Sequence, residues 1–212
     1  VTSAAETVDD YLPDDDVMLA ARARAAELGC PAVAPSTGAA LRFLATTVGA
    51  KAVVELGTGA GVSGLYLLRG MAGRGDGGVL TSIDIEPEFH RAARTTFREA
   101  GFPPGSTRLI LGRAVDVLPR LTTGGYDMVF VDAAKVEYVH YYEQGVQLLR
   151  PGGVIAFNDV FSQPNRPGDR ARRDAEATAL REVARAVALD ERLMPALLPV
   201  GSGLLAAARL AV

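Results

Sequence analysis

The sequence predicts an α/β protein: a doubly wound, mostly parallel seven-stranded sheet with helices on both faces and a C-terminal antiparallel hairpin. Three observations predict it. Short apolar runs alternate with segments of helical periodicity, the pattern of a parallel sheet covered on both sides. The first of these runs, Ala52–Leu56, breaks into Gly57-Thr58-Gly59-Ala60-Gly61 and then at once into a helical pattern, as a strand–turn–helix crevice requires. The tail departs from this alternation. Two apolar stretches flank Gly201-Ser202-Gly203, which reads as a tight turn between antiparallel strands.

In chain order, Asp14-Asp15-Asp16 precedes a helical pattern over 17–28, as an N-cap with acids at a favourable helix start. A second helix is expected over 38–48. Strands follow at Ala52–Leu56, 79–85, Thr107–Leu111, 126–132 and 154–157, with helices near 62–71, 87–100, 114–121 and 136–149. Arg150-Pro151-Gly152-Gly153 reads as a helix stop feeding a strand. A further helix is expected over 172–192, and the hairpin strands over 196–200 and 204–210. The polar stretch 162–174 carries Arg166, Arg170, Arg172 and Arg173. It reads as a loop over the site, and in its sharper form as a lid that recognises an anionic acceptor.

Composition limits the function. The chain has 212 residues, 49% of them hydrophobic, enough for one domain over 1–212 with residues 1–50 laid over a core of 51–212. The net charge of −3 gives no basic field to draw nucleic acid or an anionic membrane. The single cysteine, Cys30, cannot form an internal disulfide and reads as a small buried or half-buried thiol. With only His90 and His140 besides, a Cys/His zinc site is excluded. Both histidines fall in helical patterns and no Gly-x-Ser-x-Gly elbow occurs, which disfavours a Ser-His-Asp hydrolase. No apolar run is long enough to span a bilayer, and the acidic N-terminus lacks a signal pattern, so a cytoplasmic protein is expected.

The glycine turn carries most of the functional information. Glycines let backbone approach a ligand with no side chain between. Glu55, just before them, would repel a phosphate but suits a ligand with a positive amino group. That favours S-adenosylmethionine over a dinucleotide, whose third fingerprint glycine is replaced here by Val62. The next strand closes on Ser82-Ile83-Asp84-Ile85-Glu86. A carboxylate at Asp84 can accept both ribose hydroxyls, a task that NAD and S-adenosylmethionine share. Gly57, Thr58, Gly59, Gly61, Asp84 and Ile85 are therefore expected around the cofactor, with Glu55.

After the fourth strand comes Asp132-Ala133-Ala134-Lys135, and the fifth ends in Asn158-Asp159. Asp132, Asn158 and Asp159 form an all-oxygen set suited to Mg²⁺, Mn²⁺ or Ca²⁺. Neighbouring residues on a strand point opposite ways, so the order Asn158-Asp159 is expected to move the carboxylate away from the metal.

With these motifs the chain, from about Val33 to its C-terminus, resembles the Rossmann-like class I S-adenosylmethionine-dependent O-methyltransferases of the catechol and caffeoyl-CoA branch and their small bacterial relatives. The resemblance implies that Glu55, Gly57 and Gly59 hold the methionine part of the cofactor and Ser63 its carboxylate. It implies that Asp84 holds the ribose, that Gly112, Arg113 and Ala114 line the adenine, and that Val33 covers the cofactor. It also implies a divalent cation at Asp132, Asn158 and Asp159 chelating two neighbouring hydroxyls of a small catechol-like acceptor. Lys135 would take the proton, with Asp132 beside it as a second catalytic residue that also borders the cofactor, and the protein would be a homodimer. Two departures stand out: the family's Asp-Ala-Asp-Lys has Ala134 in its third place, and its Asp-Asn is reversed. Two other readings stay open, a cofactor-binding sensor or interaction module with a degraded metal site, and an NAD(P)-dependent oxidoreductase.

Overall fold

The computed structural model describes residues 4–11, 13–73, 77–161 and 170–211. The elements are α1 (Ala4–Asp10), α2 (Asp16–Glu27), α3 (Pro35–Thr47), β1 (Ala52–Leu56), α4 (Val62–Ala72), β2 (Val79–Asp84), α5 (Pro87–Glu99) and β3 (Thr107–Leu111). They continue as α6 (Ala114–Val117), β4 (Tyr126–Val131), α7 (Tyr138–Leu148), β5 (Leu149–Phe157), α8 (Arg170–Leu189), β6 (Leu193–Leu198) and β7 (Leu204–Arg209). Seven strands form one sheet in the order β3-β2-β1-β4-β5-β7-β6. The pairs among β1 to β5 are parallel, and β7 runs antiparallel between β5 and β6. This is the expected doubly wound sheet with its terminal hairpin.

Period-two alternation sorts the core. Val53, Leu80, Met128 and Phe130 face a cluster with Met18, Leu41, Leu65 and Phe97, from α2 to α5. Val54, Ile83, Val129 and Val131 face the other cluster, with Val117, Tyr138, Tyr141 and Val183 from α6 to α8. The strand order reverses between β1 and β4, and in such sheets the ligand crevice opens at the C-terminal ends of the strands on either side of that reversal. Glu55, next to last in β1, and Asp132, just past the end of β4, lie at that point.

Several boundaries differ from expectation. The fifth strand starts at Leu149 rather than Val154, directly after α7. Leu149 pairs with Tyr126 and Val154 with Met128, so residues 150–153 bulge opposite Asp127 alone. The bulge absorbs Pro151 and Gly152, and Asp127 anchors it by accepting Arg150 Nε at 2.5 Å and the amides of Lys51 and Ala52 at 2.7 and 2.8 Å. Lys135–Glu137 form a 3-10 turn before α7 begins. The arginine stretch is shorter than expected, because Arg170 and Arg173 already belong to α8, where Arg170 pairs with Asp174 in the open. Residues 162–169, and with them Arg166, lie outside the described residues. The N-cap reading of the acidic run holds: Asp15 accepts the Met18 amide at 2.9 Å. Among the described residues no helix is long and apolar enough to cross a membrane.

Candidate active site

The glycine turn is built by close contact. Gly57 sits at φ 94°, and a Cβ there would lie 2.1 Å from the main-chain oxygen of Asp132. Only glycine lets β1 and β4 end this close together. The amides of Gly57 and Asp132 are tied back to Ile83 O at 2.9 Å and Leu56 O at 2.8 Å. Cys30, half-buried, lies against the turn from outside: its Sγ would be 2.8 Å from a Cβ on Gly59.

Under the turn lies a buried polar network. Glu55 has no exposed surface. Ser63 donates to its Oε1 at 2.7 Å, and Ser82 donates to its Oε2 at 2.6 Å. The Ser82 and Thr58 hydroxyls are 2.7 Å apart. Burial, above all, pushes the Glu55 carboxyl up to about 7, and the negative fields of Asp132 and Asp84 add to it, while the two serine hydroxyls pull it down. No cation pairs with Glu55 among the described residues. A ligand amino group above the turn would supply the missing positive charge.

Asp84 closes the far side. Its Oδ2 accepts the Gly59 amide at 3.0 Å, its Oδ1 the Glu86 amide at 3.1 Å, and its main-chain oxygen the Gly112 amide at 2.9 Å. Glu55, Thr58, Gly59, Ser63, Asp84 and Gly112 are thereby brought together. Ala114 is buried at the head of α6. Val33 is buried in the α2 to α5 cluster, and Arg22 Nη1 donates to its carbonyl at 2.6 Å. Ile85 is 58% exposed, and the Arg113 guanidinium turns to Glu137 at 2.8 Å.

The chemical residues gather at the ends of β4 and β5. Strand β5 stops at Phe157, so the alternation rule no longer governs the two residues after it. Asp159 takes a left-handed conformation with φ 60°, which Asp tolerates better than most side chains. Asn158 and Asp159 take different partners. The Asn158 side chain hydrogen-bonds Asp132, while Asp159 Oδ2 accepts Lys135 Nζ at 3.2 Å. Burial, above all, and the charge of Asp159 bring the Asp132 carboxyl up to about 7, against the pull of Asn158 and Lys135. Asn158 Oδ1 is buried with no hydrogen-bond partner, a costly state for an amide oxygen. Among the described residues no three His, Cys, Asp or Glu side chains converge as a metal cluster. The candidate oxygen set therefore depends on the Asn158 amide.

Two contributors escaped the sequence. Ser82 bridges Glu55 and Thr58, and the only signal was a hydroxyl in the buried interior of a central strand. Tyr138 is wholly buried and donates to Asn158 O at 3.2 Å, so it fastens the β5 exit.

The O-methyltransferase family model matches residues 15–210. An O-methyltransferase-family protein of Mycolicibacterium vanbaalenii is 52% identical over 198 residues, 93% of this chain and 86% of its own. A crystal structure from Corynebacterium glutamicum superposes with a TM-score of 0.85 at 33% identity, covering 97% of this chain and 94% of that one. The O-methyltransferase TomG of Streptomyces achromogenes, involved in tomaymycin synthesis and crystallised with S-adenosylmethionine, gives a TM-score of 0.81 at 27% identity. That match covers 99% of this chain and 100% of TomG.

Proposed function

The chain belongs to the O-methyltransferase family, and we propose that it moves the methyl group of S-adenosylmethionine to a hydroxyl of a small, catechol-like acceptor beside a divalent cation. The observation that carries the cofactor half is the unpaired carboxylate of Glu55 beneath a glycine turn that Asp84 closes on its far side. Turn amides meet the cofactor carboxylate, Asp84 the ribose hydroxyls, and the acidic floor favours the amino group and the sulfonium. A dinucleotide, with its two phosphates, is poorly matched to that floor.

The acceptor half rests on Asp132, Lys135, Asn158 and Asp159. The residues fit a divalent cation: the orphaned Asn158 Oδ1 would gain a partner, and the repulsion between Asp132 and Asp159 would be relieved. A bound cation would acidify the acceptor hydroxyl and hold its neighbour. Lys135 stands beside Asp159, and its amine, once made neutral by a neighbouring cation, would take the proton that leaves the acceptor. Tyr138 keeps the β5 exit in place, so the acceptor oxygen can be lined up with the sulfonium methyl. Most of the protein's contribution is this alignment.

The test combines calorimetry with turnover. S-adenosylhomocysteine is expected to bind, NADH is not, and labelled methyl is expected to pass from S-adenosylmethionine to an ortho-dihydroxyphenyl acid. Chelation with EDTA is expected to abolish transfer and added Mg²⁺ to restore it. Transfer that ignores EDTA would sink the metal half alone. Absence of any S-adenosylhomocysteine binding would sink the whole reading.

A further inference from the structure

Ser82 lies in the middle of β2 with no exposed surface, a place where an apolar side chain is the ordinary occupant. Its Oγ is 2.6 Å from Glu55 Oε2 and 2.7 Å from Thr58 Oγ1. A hydroxyl has one proton to give. With Glu55 ionised, that proton goes to the carboxylate, so Thr58 must donate to Ser82. Ser63 gives its proton to the other carboxylate oxygen at 2.7 Å. The hydrogen-bond directions are thereby fixed: Thr58 to Ser82 to Glu55 on one side, Ser63 to Glu55 on the other.

The outer members of this chain hold the two halves of the glycine turn. Thr58 stands between Gly57 and Gly59, and Ser63 is in the first turn of α4. Two residues beyond Ser82, on the same face of β2, Asp84 takes the Gly59 amide at 3.0 Å. Strand β2 thus fastens the turn twice, once from below through a hydroxyl and once from the side through a carboxylate. Glu55 itself is enclosed, with one oxygen on each serine, so its influence on a ligand above the turn passes through these hydroxyls.

Resting on the cofactor reading above, we infer that Ser82 is a positioning residue for S-adenosylmethionine, relaying the buried charge of Glu55 to Thr58 and so fixing the turn that seats the cofactor. The relay has a direction that protonation reverses. A neutral Glu55 that carries its proton on Oε2 becomes a donor to Ser82, whose own proton is then free for Thr58. The groups facing Glu55 are the hydroxyls of Ser63 on α4 and Ser82 on β2, with the acids Asp84 and Asp132 acting through space. The cationic amino group of the cofactor favours the ionised state.

The experiment measures S-adenosylhomocysteine affinity from pH 5.5 to 8.5, with kcat and KM for S-adenosylmethionine, in wild type, Ser82→Ala and Ser82→Thr. Ser82→Ala is expected to weaken affinity about tenfold, as for a lost hydrogen bond to a charged group. Its kcat at saturating cofactor is expected to stay within about twofold, because cofactor seating and not the chemical step is altered. The midpoint at which affinity rises with pH is expected to move upward, because the carboxylate has lost a donor. Ser82→Thr, which keeps the hydroxyl, is expected to restore both. A variant that melts earlier yet binds with wild-type affinity and pH profile would reduce Ser82 to a packing role. Thr58→Val cuts the relay one step nearer the turn and leaves β2 intact, so it serves if Ser82→Ala does not fold; unchanged affinity there overturns the inference. Wild-type protein that fails to bind the ligand sinks the cofactor reading, whereas normal wild-type binding with indifferent variants sinks only the relay.

Discussion

Single atoms decide the site. A methyl group on Gly57 would meet the Asp132 carbonyl at 2.1 Å, on backbone at φ 94° that L-residues rarely adopt. Neither partner can retreat, because both amides are tied across the sheet. Gly57→Ala is therefore expected to cost about 2–4 kcal/mol in stability and to abolish measurable cofactor binding. A melting curve and a titration with S-adenosylhomocysteine check it, and an unshifted melt would mean the two strand ends separate more easily than the contact implies. Lys135 makes the opposite case. It pairs with Asp159 at 3.2 Å, past the end of β5. Lys135→Ala is expected to keep cofactor affinity within about threefold while turnover falls by roughly 10²–10⁴, the range of a lost general base. Loss of cofactor affinity instead would assign this side chain to the cofactor and not to the acceptor.

At the scale of elements, the sequence reveals what repeats and conceals what bends. Strands β1 and β3 have the limits their apolar runs predict, since period-two burial is written in Val53, Val54 and Leu56. Strand β5 hides its first half because Pro151 and Gly152 look like a terminus, and only pairing with Tyr126 shows that the strand passes through them in a bulge. The Asn158-Asp159 order is hard to read for a related reason: alternation describes a strand, and both residues lie past its end. Glu55 was legible as an acid at a strand end, but its depth was not. The Ser63 and Ser82 hydroxyls that enclose it arrive from a helix and a neighbouring strand. The bulge also yields a prediction. Asp127 accepts two main-chain amides at the start of β1 and the Arg150 guanidinium, and these contacts hold its carboxyl below the usual range although burial opposes them. Asp127→Ala would leave those donors without partners and is expected to destabilise by about 2–4 kcal/mol. Urea unfolding measures it, and a change below about 0.5 kcal/mol would show that water replaces the carboxylate freely.

Over the whole molecule, the acids fall into two groups with opposite pH behaviour. Asp15, Asp127, Glu137 and Asp190 are held below their ordinary range by amides, arginines or hydroxyls, so they favour the native state until pH falls through their folded values. Asp132, raised to about 7, does the reverse, and so does Glu55. Its carboxyl rises from an ordinary 4.5 to about 7, so between those values the native protein binds more protons than the unfolded chain. Stability must then fall as pH climbs across that window and level off above it. A shift of this size corresponds to roughly 3 kcal/mol for a buried group. The cofactor-free protein is expected to melt highest near pH 5 and several degrees lower at pH 8, with the decline shrinking in Glu55→Gln. Saturating S-adenosylhomocysteine is expected to flatten the same decline, because its amino group compensates the charge that burial penalises. A melting temperature that climbs from pH 5 to pH 8 without ligand would mean that Glu55 is already neutralised by a partner. The acidic floor would then have no vacancy for a cation, and the physical reason for preferring a sulfonium cofactor would be lost.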